Sequence, residues 1–279
     1  MEKIQVGRAE SPGLPWQSDI DAGLLRSKII FWAKQIREWG IKWQTGIYPG
    51  EMAAFLGLCE CSKIRSIIES GRGDGYSTQI LGEYSDRTGT KVVSIDLEAD
   101  PDQSRACRER LERYRNLACL AGNAFAVLPR AAASLRGPIA LLLDGPKLEP
   151  ANRLSLVASY MFEIAAVAHH NCPLEAPWGQ EFSHLFPDAF HYEELGLMEN
   201  IKWQEFKRWE RIWVDHYEQF DEVHRVRGRS LESSSLAMAV ISGEKASLKR
   251  FHEVSTRPLR YNPFLLWIRW SFRRGVSTG

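Results

Sequence analysis

Short apolar runs that each end in a polar residue recur through the middle of the chain, separated by stretches with helical spacing. Ile67-Ile68 runs into Glu69, Lys91 to Ile95 into Asp96, Leu117 to Ala121 into Gly122-Asn123, and Ile139 to Leu143 into Asp144. A fifth run, Ile164 to Ala168, ends at His169-His170-Asn171, and Ser235 to Ile241 reads as a last strand. Between them Tyr76 to Tyr84, Asp102 to Tyr114 and Ala124 to Ala133 suit helices. Continuous apolar runs alternating with helices predict an α/β fold, a mostly parallel sheet with helices on both faces. Ligands of such sheets bind beyond the strand carboxyl ends. That edge gathers Glu69, Asp96, Asn123 and Asp144, although any one of them singly also suits a helix N-cap.

The flanks predict three additions to this core. Leu25, Ile29, Trp32, Ile36, Trp39 and Trp43 recur at helical spacing, which predicts an amphipathic helix from Leu24 to Trp43. Its apolar stripe either covers the sheet edge, meets a second subunit, or lies on a membrane surface with its lysines and arginines around it. A short helix from Gly50 to Leu58 leads into the domain. Residues 172–234 form an insert before the last strand, rich in rings: Trp178, Phe182, Phe186, Phe190, Tyr192, Trp203, Phe206, Trp209 and Trp213. Those rings either line an acceptor pocket as a lid or make the insert's own core. The chain thus divides into a tail and N-terminal helical extension (1–58), a ligand-binding domain (59–243) and a basic aromatic tail (244–279). In the last of these, Arg257 to Arg274 suits either a surface anchor or a docking segment.

Composition narrows the partners. The 36 basic and 35 acidic residues leave a net charge of +1, which gives no field to attract nucleic acid. No apolar run reaches the ~18 residues of a membrane span, and the first residues lack a signal-peptide pattern. Cys59, Cys61, Cys107, Cys119 and Cys172 include no CxxC pair and read as reduced thiols. A cytoplasmic location is expected, peripheral to a membrane if the termini bind lipid.

Three glycines carry the chemistry. In Glu69-Ser70-Gly71-Arg72-Gly73-Asp74-Gly75-Tyr76 they follow a strand and open a helix, where absent side chains let a ligand approach the main chain. A dinucleotide site reads GxGxxG, whereas here the third glycine comes one position early. An acidic residue before the loop suits a cofactor with an ammonium group and no phosphate, such as S-adenosylmethionine. Asp96, about 20 positions on, suits ribose hydroxyls.

Residues from about 59 to 170 resemble class I S-adenosylmethionine-dependent methyltransferases of Rossmann-like fold. The resemblance rests on ExGxGxG at Glu69 to Gly75, the acidic Asp96, and Gly122-Asn123 at the adenine-contacting position. It implies that Glu69, Gly71, Gly73 and Gly75 hold the methionine end, Asp96 the ribose and Asn123 the adenine edge. Asp144-Gly145-Pro146-Lys147 is similar to the DxxK element of catechol and caffeoyl-type O-methyltransferases, which implies a metal-ligating Asp144 and a Lys147 that helps deprotonate the acceptor. In those families an Asp-Asn pair completes a magnesium site, where this chain has His170-Asn171. A set of Asp144, His170 and Asn171 suits manganese, iron or zinc better than magnesium. Without metal, neutral His170 or His169 is the expected base, ahead of Lys147, and strand alternation lets only one histidine face the cofactor. The expected reaction is O-methylation of a small-molecule, sugar or lipid-linked hydroxyl. A scaffold on the same fold, and less readily an NAD-dependent dehydrogenase, are the alternatives.

Overall fold

A computed structural model describes residues 20–43, 46–218 and 236–241, with the side chains of 213–218 outside the description. In chain order the elements are α1 (Ala22–Trp39), α2 (Pro49–Cys61), β1 (Ser66–Ser70), α3 (Tyr76–Thr88), β2 (Lys91–Asp96), α4 (Pro101–Leu111), β3 (Leu117–Ala121), α5 (Ala124–Ser134), β4 (Ile139–Leu143), α6 (Glu149–Met161), β5 (Ile164–His169), α7 (Pro177–Leu185), β6 (Ala189–His191), a 3-10 turn (Tyr192–Leu195), α8 (Ile201–Glu218) and β7 (Ala237–Val240).

One sheet runs β3-β2-β1-β4-β5-β7-β6. The pairs β1–β2, β1–β4, β2–β3 and β4–β5 are parallel, while β7 is antiparallel to both β5 and β6. The chain winds outward from β1 through β2 to β3, then returns to lay β4 against the other side of β1. That reversal opens a crevice beyond the carboxyl ends of β1 and β4, the position at which open α/β sheets bind ligands. Both strands are buried at every residue, as central parallel strands must be.

Alternation distributes the strand side chains between two cores. Ile67, Ala140, Leu142, Ala166 and Ala168 join the layer of α1, α2, α3 and α8, whereas Ile68, Leu141, Leu143 and Val167 join α5, α6 and α7. The predicted strands and the helices between them are present. The three-residue β6 was not foreseen, because so short a run carries no periodicity of its own.

Two expectations need correction. The first helix ends at Trp39, where Gly40 closes it in the left-handed region (φ 64°), so Trp43 lies in the following loop. Its stripe of Leu25, Ile29, Trp32 and Ile36 is interior, packed against α2 so closely that a Cβ on Gly57 would stand 3.1 Å from the Ile29 backbone nitrogen. Neither a membrane nor a second subunit can reach that stripe. The insert's rings are likewise interior: Phe182 and Phe186 pack beside α6, while Phe190, Tyr192, Trp203 and Phe206 pack beside α1 and α2. Trp178 and Trp209 are half-buried. A lid made of these rings is therefore excluded for the buried six. The side chain of Trp213, Ser235 and the expected tails, including Arg257 to Arg274, lie outside the described part. All five cysteines are free thiols, and no described helix is long and apolar enough to cross a membrane.

Candidate active site

The glycine loop joins β1 to α3 in a path that side chains would block. Gly71, Gly73 and Gly75 all have positive φ, at 93°, 50° and 80°. A Cβ on Gly71 would stand 2.5 Å from the Gly145 nitrogen, and one on Gly75 would overlap the Cys107 sulfur of α4. Gly73 differs: nothing lies within 4 Å of its Cβ position, and the residue is exposed. The first and third glycines are needed for packing, and the middle one offers open main chain.

Glu69 lies beneath this loop rather than at its rim. Fully buried, it accepts hydroxyl protons from Ser77 (2.5 Å), Thr78 (2.5 Å) and Ser94 (2.6 Å), so both oxygens are occupied. Burial holds its carboxyl above the usual range despite those three hydroxyls. Through these bonds Glu69 braces the start of α3.

Asp96, half-buried at the end of β2, accepts the Gly73 N–H at 3.0 Å and the Glu98 N–H at 2.7 Å. Its carbonyl accepts the Gly122 N–H at 2.8 Å, which ties the ends of β2 and β3 together. Asn123 is exposed and caps α5, accepting the Phe125 N–H at 2.9 Å. Beside Asp96, Leu97 is 67% exposed, an apolar surface at the rim that periodicity did not single out.

Arg72 escaped notice as a variable position of the glycine pattern. Its guanidinium donates to the Ser94 carbonyl (2.9 Å) and to Glu98 (2.5 Å), joining the two loops that flank the crevice, and Arg108 pairs with the same Glu98. The Arg72–Glu98 side chains are 1% and 8% exposed. Removing one member of so buried a pair strands the other charge. Arg72→Ala is expected to cost about 3 kcal/mol in a denaturant titration, Arg108 limiting the loss.

The other wall comes from β4 and β5. Asp144 N–H and Gly145 N–H both donate to the Ser70 carbonyl, at 2.8 and 2.9 Å, so this wall is fastened to the glycine loop. His170 Nδ1 stands 2.8 Å from Asp144 Oδ1, Lys147 Nζ lies 2.9 Å from the same oxygen, and the Asn171 amide donates to it at 3.4 Å. His170 Nε2 faces Glu51 of α2 at 3.5 Å, outside ordinary hydrogen-bond length. Glu51 is fully buried and accepts the Tyr48 N–H at 2.8 Å. Burial alone would lower the His170 pKa, but the charges of Glu51 and Asp144 outweigh it and raise the imidazole above its ordinary value. For Asp144 burial acts upward, yet His170 and Lys147 hold the carboxyl below its ordinary value. Glu51 is legible locally as the third residue of a Pro49-started helix; its place against His170 is not.

His169 points the other way and is withdrawn as a base. Its ring is bonded to Ser155 Oγ (2.6 Å) and Asn152 Oδ1 (3.0 Å), lies 4.7 Å from the Phe182 ring, and is held neutral by burial, which lowers its pKa to about 3. The strand alternation separates the pair as expected, with His170 at the crevice.

As a metal set, Asp144, His170 and Asn171 do not fit. The nitrogens of His170 and Asn171 lie against Asp144 Oδ1 and one another, and the Lys147 ammonium already sits on the same carboxylate oxygen. No group of three His, Cys, Asp or Glu residues able to hold an ion occurs among the described residues. The cluster is an internal ion-pair network.

No protein-family model and no curated protein sequence matches the chain. Among solved structures, an O-methyltransferase from Bacillus cereus in complex with SAH is 18% identical with a TM-score of 0.40, the match covering 59% of this chain and 84% of that one. A putative caffeoyl-CoA O-methyltransferase from Staphylococcus aureus is 14% identical (TM-score 0.41; 75% and 91% covered). The O-methyltransferase TomG from Streptomyces achromogenes, in complex with SAM, is 18% identical (TM-score 0.42; 82% and 93% covered).

Proposed function

We propose that this protein is an S-adenosylmethionine-dependent methyltransferase that methylates a hydroxyl oxygen of a small-molecule, sugar or lipid-linked acceptor. The observation that carries the reading is the crevice itself: an open-backbone glycine loop bonded to Asp96 on one wall, and an Asp144–His170 pair fastened to it on the other.

The residues fit the cofactor by shape and polarity. Gly73 leaves its main chain bare, Asp96 presents a half-buried carboxylate suited to ribose hydroxyls, and Leu97 offers an apolar rim for a planar base beside Asn123. Glu69 and Arg72 serve by holding the loops in place. When bound, S-adenosylmethionine supplies a methyl group already activated by its sulfonium. The protein must then align the acceptor, exclude water and take one proton. His170, held by Asp144 at Nδ1 and with Glu51 3.5 Å from Nε2, is the residue this reading assigns to take up the acceptor's hydroxyl proton. Lys147, half-exposed and paired with Asp144, serves to hold that carboxylate ionised.

Ligand-induced stabilisation tests this reading, since a ligand that binds only the folded state raises the melting temperature. S-adenosylmethionine and S-adenosylhomocysteine are expected to raise it by several degrees at saturating concentration and NAD to leave it unchanged. A shift with NAD alone would establish the dehydrogenase alternative instead.

A further inference from the structure

Strand pairing in β5 ends at His169, so His170 stands just beyond the sheet, where the chain turns toward α7. A side chain that takes a proton must be held within about 0.5 Å of its working position. The neighbours of His170 on both sides are tied to meet that need. His169 turns inward, with Nδ1 3.0 Å from Asn152 Oδ1 and Nε2 2.6 Å from Ser155 Oγ. The Asn152 amide nitrogen donates to the Trp178 carbonyl at 2.8 Å and to Glu181 at 3.0 Å. A carbonyl can only accept, so Asn152 Oδ1 is the acceptor that faces His169. The neutral His169 ring therefore carries its proton on Nδ1, and Nε2 accepts the Ser155 hydroxyl.

On the other side, Asn171 lies in the left-handed region (φ 58°), and its carbonyl accepts the Trp178 Nε1–H at 2.9 Å. Three bonds, from His169 to Asn152, Asn152 to Trp178 and Trp178 to Asn171, thus close a circuit around His170 through its own main chain. Asn152 and His169 are 0% and 2% exposed, so water does not compete for the bond between them. The His170 N–H donates to the Leu143 carbonyl at 3.0 Å, which adds β4 to the elements that fix it. An asparagine inside a helix is a poorer helix former than alanine, and the side chain of Asn152 spends all its printed bonds away from its own turn, on β5 and α7.

We propose that Asn152 and Trp178 are positioning residues for His170, a strap that clamps both of its chain neighbours and so holds its ring against Asp144; this rests on the reading of His170 as the base and adds what keeps it in place. NMR titration of the His170 ring in the full chain tests it with neither cofactor nor acceptor present. The charged groups facing that ring are Asp144, with Lys147 on the same oxygen, and Glu51. Trp178→Phe keeps an aromatic ring at a half-buried position but removes the Nε1–H that holds Asn171. Its His170 midpoint is expected to fall toward the ordinary value of about 6.5, by about half a pH unit, as the ring moves off its carboxylates. Its melting temperature is expected to fall by a few degrees. Ile36→Val, which trims the core of α1, is expected to melt lower by a similar amount and to leave the midpoint where it is. An unchanged midpoint in Trp178→Phe, an equal fall in Ile36→Val, or failure of Trp178→Phe to fold would overturn the proposal. The His170 ring titrates whether or not S-adenosylmethionine binds, so this result stays readable if the cofactor reading fails, and the cofactor result stands if the strap does not.

Discussion

Gly71→Ala is expected to lose about 3 kcal/mol of stability and all measurable binding of S-adenosylmethionine. At φ 93° the new Cβ is strained whatever the space around it, and it would stand 2.5 Å from the Gly145 nitrogen and 2.7 Å from the Asp144 carbonyl carbon, which are backbone atoms that cannot turn aside. The two walls of the crevice must separate to admit it, and the bonds from Asp144 and Gly145 to the Ser70 carbonyl break with them. Gly73→Ala separates the roles. Its Cβ meets nothing within 4 Å, so the stability loss is only the left-handed penalty of about 1 kcal/mol, while the methyl enters the space that the cofactor would need. Denaturant titrations and cofactor binding measured on both variants check the pair. Equal losses of stability would mean that the loop does not pack against β4 as described.

His170→Gln is expected to lower methyl transfer about 10²- to 10⁴-fold, the usual contribution of a general base, with cofactor affinity unchanged. The pH profile carries the more specific sign. Because Glu51 and Asp144 raise the His170 pKa, the wild-type rate should climb with pH through a midpoint above 6.5, and the variant should lose that rise. Stability moves the opposite way. A histidine with a raised pKa contributes fully below its unfolded value and loses that contribution as pH rises through the folded one, so the stability gap between wild type and variant should be widest in acid. Glutamine keeps a hydrogen-bonding group beside Asp144, which limits the folding cost. A flat wild-type profile across pH 6 to 9 would remove His170 from proton transfer.

The sheet was legible because buried parallel strands announce themselves as apolar runs with polar ends; Lys91–Asp96 is bounded in the structure as the run suggests. The two histidines were legible in part. A period of two separates them, yet which one faces the crevice depends on β5 sending Val167 and His169 toward α6 and α7, a tertiary fact. The partners of Glu69 come from α3 and β2, and Glu51 reaches His170 from a helix more than a hundred positions earlier; no local spacing encodes either meeting. The two readings of the insert's rings, lid or core, stayed open for a different reason. Ring content shows how much aromatic surface there is, not which way it faces, and the better signal was the spacing of Trp203, Phe206 and Glu210 along one side of α8, all three buried.

Isothermal titration of the wild-type chain and Asp96→Ala with S-adenosylhomocysteine tests the central claim most directly, since it asks both whether the cofactor binds and whether it binds at this crevice. Saturable binding to the wild type that is lost in the variant is the predicted result. No binding to the wild type, or equal binding by both proteins, would contradict it.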